Sequence, residues 1–70
     1  MRNETLIAER SEKAEKLGRQ AFHAGMMAIP AHDPSLMALI RGFAVGEGGL
    51  EVITAWSTGW HAENIALPVN

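Results

Sequence analysis

AWSTGWH, residues 55–61, places both tryptophans of a 70-residue chain one helical turn apart, with Gly59 directly before the second ring. The chain holds two tryptophans, two phenylalanines and no tyrosine, so these rings either anchor the core or form a recognition face. On a helix, positions i and i+4 share one side. Gly59 takes a side chain away next to Trp60 and lets another backbone approach. The neighbouring VITAW run has strand-like composition, but no second alternating segment exists to pair with it, and a lone strand is not stable. The stretch therefore reads as a helix over residues 50–69 that Pro68 terminates. Leu50, Ile53, Ser57, Trp60, Asn64 and Leu67 fall on one face of it, with Trp56 and Ile65 flanking.

The surface that receives these rings is expected in the first third of the chain. Residues 3–29 read as one long helix, capped by Asn3 or Thr5 and ended by Pro30, because the residue before a proline is pushed out of the helical region. Glu9–Lys13, Glu12–Lys16 and Glu15–Arg19 are acid-to-base pairs at i, i+4, each worth about 0.2–0.5 kcal/mol. On its buried side Ala14, Leu17, Ala21, Ala24 and Ala28 recur at spacings of three and four, with Gly18 and Gly25 beside them. A glycine inside a helix costs about 0.5–1 kcal/mol relative to alanine, so something bulky is expected over this small-residue groove. Trp56 and Trp60 packing over Gly18, Ala21 and Gly25 is the favoured arrangement.

Between the two long segments, Asp33 followed by Pro34 reads as an N-cap and first helical residue. Leu36, Met37, Leu39 and Ile40 make a short apolar helix, and Gly42, Gly46, Gly48 and Gly49 mark a soft connection. The fold expected is all-α: two long helices packed as a hairpin with a short intervening helix, in a single small helical domain spanning residues 1–70.

A chain this short buries only about 60% of the surface its unfolded form exposes. It has no cysteine, so neither a disulfide nor a zinc thiolate staples it. Close helix packing, self-association or a partner must supply the stability. The net charge of −2 is uneven: residues 1–20 sum to +1 and residues 21–70 to −3. Neither segment is a basic stripe, which disfavours direct nucleic-acid binding. The longest nearly apolar run is broken by His23 and Pro30, well short of the ~20 residues of a membrane span. The charged N-terminus lacks a secretory pattern, so a cytoplasmic location is expected.

Catalytic and metal chemistry find no foothold in the sequence. His23, His32 and His61 do not pair at i, i+4, and no metal-ligand motif accompanies them. Ser11, Ser35 and Ser57 lack the setting of a nucleophile, and GEGG at 46–49 has no preceding strand or following lysine to make it a phosphate loop. No metal, no cofactor and no enzymatic activity are expected. Met26, Met27 and Met37 read as core fillers.

AFHAG at 21–25 and WSTGWHAE at 56–63 together resemble the ribosome modulation factor family, small bacterial proteins with an aromatic-x-Ala-Gly element and a later W-x-x-G-W element. Phe22, Ala24 and Gly25 match the first element, and Trp56, Gly59 and Trp60 the second. The likeness covers about a third of the chain. It implies a compact helical hairpin that binds the small ribosomal subunit and promotes ribosome dimerisation and dormancy. That family is strongly basic, whereas this chain is mildly acidic, and the spacing between the two elements is longer here. The functional expectation is thus a small non-enzymatic interaction module acting through protein contacts, with Phe22, Gly25, Trp56, Gly59 and Trp60 as its structural and interaction residues. The alternative is a homodimeric structural or regulatory protein, antitoxin-like or phage-derived, with no ribosome contact.

Overall fold

The computed structural model describes residues 3–43 and 46–66. Helix α1 runs Glu4–His23, a single 3₁₀ turn covers Pro30–His32, helix α2 runs Pro34–Ile40 and helix α3 runs Gly49–Ala66. The fold is all-α as read from the sequence, with two long helices packed together and a short one between them, but the long pair is parallel and so lacks the antiparallel sense of a hairpin. VITAW is helical. The expected contributions of Leu67 and Pro68 lie outside the described residues.

Helix α1 begins where Asn3 caps it, its side chain accepting the Leu6 N–H at 3.0 Å. It ends well before Pro30, which corrects the expected span. The Gly25 N–H donates to the Phe22 carbonyl at 3.1 Å and the Met26 N–H to the Ala21 carbonyl at 2.9 Å, the paired bonds of a Schellman turn. Gly25 sits at φ +81°, a left-handed conformation that lacks a steric penalty only for glycine. No atom lies within 4 Å of where its Cβ would be. Gly25 therefore stops the helix and is not part of a groove beneath the tryptophans. Ala24 is exposed and Ala28 falls outside the helix for the same reason.

The two long helices run side by side in the same direction. Gly48, just before α3, lies against the side chain of Ile7. Gly18 meets the Trp56–Trp60 turn, and His23 meets Glu63 at the far end. The chain can pair the helices in this sense because α2 and its flanking segments carry it back along the pair. The Arg10 guanidinium donates to the Leu39 carbonyl at 2.8 Å, which fixes the end of α2 beside the first half of α1 and satisfies a carbonyl left unpaired at a helix terminus. Leu36, fully buried, fills the space between the three helices with Ala14, Ala21, Val52 and Trp56.

Two glycines set the closeness of α1 and α3. A Cβ at Gly18 would lie 2.9 Å from the Trp56 carbonyl carbon and 3.0 Å from the Trp60 nitrogen; one at Gly59 would lie 2.9 Å from the Glu15 carbonyl carbon. Backbone meets backbone at this crossing, so α3 must turn Gly59 towards α1. That requirement rotates α3 away from the expected face: Val52, Trp56 and Gly59 are buried, while Ile53 and Trp60 flank them half-buried. Leu50, placed on the inner face by its spacing, is 74% exposed, and Ile65 is 81% exposed.

Because the obstructing atoms at both glycines are main-chain atoms, a methyl group cannot be accommodated by a side-chain swing. Gly59→Ala and Gly18→Ala are each expected to destabilise the fold by about 1–3 kcal/mol, lowering the thermal midpoint by roughly 5–20 °C. Thermal unfolding followed by circular dichroism checks this. Midpoints within a degree or two of the parent would show that the helices do not touch through their backbones.

Candidate interaction site

The site residues read from the sequence gather around the two indoles, with one exception. Trp56 is fully buried and Gly59 is buried at the helix crossing, whereas Phe22 and Trp60 are half-buried. Phe22 and Trp60 meet in a T-shaped contact, centroids 5.2 Å apart and planes at 85°, a favoured geometry for ring quadrupoles. The two sequence elements, separated by more than thirty positions, are thus joined ring to ring. Gly25 stands one turn away from this contact as the helix stop. Gly18 meets the backbone of the Trp56–Trp60 turn and not the indole rings expected over it; the Trp56 ring is buried in a cluster with Ala14, Ala21, Leu36 and Val52, and the Trp60 ring lies against Phe22.

Each indole N–H reaches the segment that links α1 to α2. The Trp60 Nε1 donates to the Met26 carbonyl at 2.9 Å. The Trp56 Nε1 donates to Asp33 Oδ2 at 2.8 Å, while Asp33 Oδ1 accepts the Ser35 N–H at 2.9 Å and the Leu36 N–H at 3.4 Å. Asp33 is only 6% exposed. One buried carboxylate therefore caps α2 with one oxygen and holds the core tryptophan with the other, a charge-assisted arrangement stronger than a neutral hydrogen bond. The capping role was legible in Asp33–Pro34. The second role was not, although two rules pointed to it: a buried indole N–H requires an acceptor, and a capping carboxylate has an oxygen to spare.

Around the half-buried end of the cluster the side chains are polar and accessible. His23 packs against Phe22 and His61 against Trp60, both edge-on. Glu63 faces α1, with Oε2 3.3 Å from His23 Nε2 and Oε1 3.7 Å from an Arg19 nitrogen. Arg19 also closes the i, i+4 pair with Glu15 at 2.8 Å. These exposed ion pairs contribute little to stability. Among the described residues no group of three or more His, Cys, Asp or Glu is placed to hold a metal ion, and no buried side-chain nitrogen or oxygen lacks a hydrogen-bond partner. No described helix is long and apolar enough to cross a membrane.

No family model, curated protein or solved structure matches the chain. The geometry of the two sequence elements has to speak for itself: every inward-facing residue in them has a packing or hydrogen-bonding task within the fold.

The shared use of Asp33 can be isolated by substitution. Asn caps a helix about as well as Asp but brings only one acceptor oxygen, so Asp33→Asn is expected to cost about 1–3 kcal/mol through the indole side. Trp56→Phe removes the donor from the same bond. Denaturant unfolding of both variants and their combination should give a coupling of about 0.5–3 kcal/mol. Strictly additive losses would mean that the Asp33–Trp56 bond adds nothing to the fold.

Proposed function

We propose that this chain is a non-enzymatic interaction module built on the helical plan that its sequence elements share with the ribosome modulation factors, and that it acts in the cytoplasm by associating with ribosomes through protein contacts. The observation that carries this reading is the joining of AFHAG and WSTGW: Phe22 touches Trp60 edge to face, and Gly59 lets α3 meet the α1 backbone. Of the matched residues, Phe22, Trp56, Gly59 and Trp60 join the two long helices and Gly25 ends the first of them, which is where a likeness of scaffold should reside. Scaffold and activity are separable, and the surface decides the mode of binding. A chain of net charge −2 lacks the phosphate-neutralising cations on which ribosomal RNA binding depends. Protein surfaces of the ribosome are the consistent target, and a role in regulating translation under stress follows from the resemblance.

Sedimentation of lysates from growing and starved cells, with the tagged chain followed by immunoblot, tests the reading. The chain is expected to travel with ribosomal particles in starved cells. Raising the salt from about 50 to 200 mM should weaken that association far less than the roughly 10³–10⁵-fold seen for proteins making 6–10 phosphate contacts. Absence from ribosomal fractions in both states removes the ribosomal reading, and a steep salt dependence removes the protein-contact part of it.

A further inference from the structure

We infer that residues 24–42, with α2 at their centre, form a strap that opens as one unit while α1 and α3 stay paired beneath it. The strap is held by much less than the helices it covers. Most of the interior contact is between α1 and α3, and α2 touches each of them far less. Leu36 is the side chain that α2 buries fully, with Met37, Leu39 and Ile40 only half-buried around it, and the Pro30–His32 turn buries none. Helix α2 has seven residues, whereas isolated helices shorter than about 12–15 residues are marginal in water. Segments with few buried apolar contacts are the ones that open at the lowest free energy.

Three side-chain hydrogen bonds from the long helices fasten the strap along its length. Trp60 Nε1 donates to the Met26 carbonyl, Trp56 Nε1 to Asp33 Oδ2 and the Arg10 guanidinium to the Leu39 carbonyl. Asp33 makes the release concerted. Because one of its oxygens caps α2 and the other holds Trp56, unwinding the short helix and freeing the ring are one event. Gly25 and Gly42 flank the strap at φ +81° and +92°, and no atom lies within 4 Å of where either Cβ would be, so no packing opposes rotation at these two hinges. The pair beneath keeps its own contacts when the strap lifts. Gly18 against the Trp56 carbonyl and Gly59 against the Glu15 carbonyl are backbone meetings to which α2 contributes no atom. Glu63 meets Arg19 and His23 at one end of the pair, and Gly48 meets Ile7 at the other. The closed and open forms therefore differ in whether the Trp56 ring and the Asp33 carboxylate, both buried when the strap is down, are reached by water.

This inference stands apart from the ribosomal reading and has its own test, hydrogen exchange of the full chain followed by NMR in water and in low denaturant. The amides of Met37 to Ile40 should share one protection factor, about tenfold or more below those of Leu17 to Ala21 and Trp56 to Trp60. Their dependence on denaturant should be shallower, because lifting the strap exposes less surface than unfolding does. The Trp56 indole N–H is the sharper probe. It sits on α3 but donates to the strap, so it should follow α2 and not its own backbone amide. Gly59→Ala disturbs a crossing that the open form retains, and should speed exchange in α1 and α3 while leaving α2 unchanged. If that variant does not fold, the wild-type exchange decides alone. One protection factor and one slope shared by all three helices and the Trp56 indole overturn the inference, since the chain then opens only by unfolding. So does exchange in α2 that differs from amide to amide and ignores denaturant, since no unit then moves. A loss of α2 protection in Gly59→Ala equal to that in α1 and α3 overturns it as well.

Discussion

The close crossing of α1 and α3 at Gly18 and Gly59 constrains nearly everything else in the molecule. The arrangement is reciprocal: the carbonyl of Trp56 faces Gly18 and the carbonyl of Glu15 faces Gly59. Two helices meeting through their backbones have no side chain with which to adjust, so their rotation and register are fixed together. With Gly59 turned inward, Trp56 is carried to the centre of the three helices and Val52 lies one turn before it. With Gly18 turned inward, Ala14 and Ala21 line the same interior. A core of this kind gains density by proximity rather than by bulk, which suits a chain with few large residues to bury.

Polar contacts then tie the returning chain to that pair. The Trp60 N–H reaches Met26, the Trp56 N–H reaches Asp33, and Arg10 reaches Leu39. Each acceptor sits at or just beyond a helix end, where carbonyls or capping groups need partners and where a connection is most free to move. The Asp33 carboxylate does the most, because it joins the start of α2 to the most buried ring. The cost of its burial is offset in part by hydrogen bonds to both oxygens. The parallel sense of α1 and α3 depends on this anchoring: a short turn would have forced them antiparallel, whereas the long return through α2 must be held in place along its length.

The legible parts of the fold were those governed by local chemistry. The Asp33–Pro34 pair announces a helix start from side-chain capping alone and acts as read, and of the two caps offered for the first helix, Asn3 and Thr5, Asn3 is the one used. The small-residue stripe does mark the place where α3 meets α1, but what lies on Gly18 is the backbone of the Trp56–Trp60 turn and not the rings, because a second glycine, Gly59, lets the two main chains meet directly. Gly25 was misplaced because a glycine near a helix end fits two roles, close packing and left-handed termination, and only the dihedral angle separates them. The rotation of α3 escaped notice because its apolar residues surround the helix, so periodicity gives no dominant face. Asp33's second oxygen was hidden by distance: its partner lies 23 positions away, beyond any local pattern. The functional resemblance has a different standing, since Phe22, Trp56, Gly59 and Trp60 pack the helices and Gly25 ends one of them, while binding takes place on the outside.

That division directs attention to what the interior leaves unused. Among residues 49–66 only Glu51 and Glu63 are acidic and none is Lys or Arg, and a helix apolar on all sides is usually buried on all sides. Here α1 and α2 cover part of α3, leaving Leu50 and Ile65 largely in solvent. A chain of this length has a narrow stability margin, and anything that binds only the folded form adds to it by mass action. Covering the outer side of α3 would therefore stabilise the same helix whose inner side holds the molecule together. The rotation of α3, set by Gly59, decides which of its apolar residues are packed inside and which, like Leu50 and Ile65, stay in solvent.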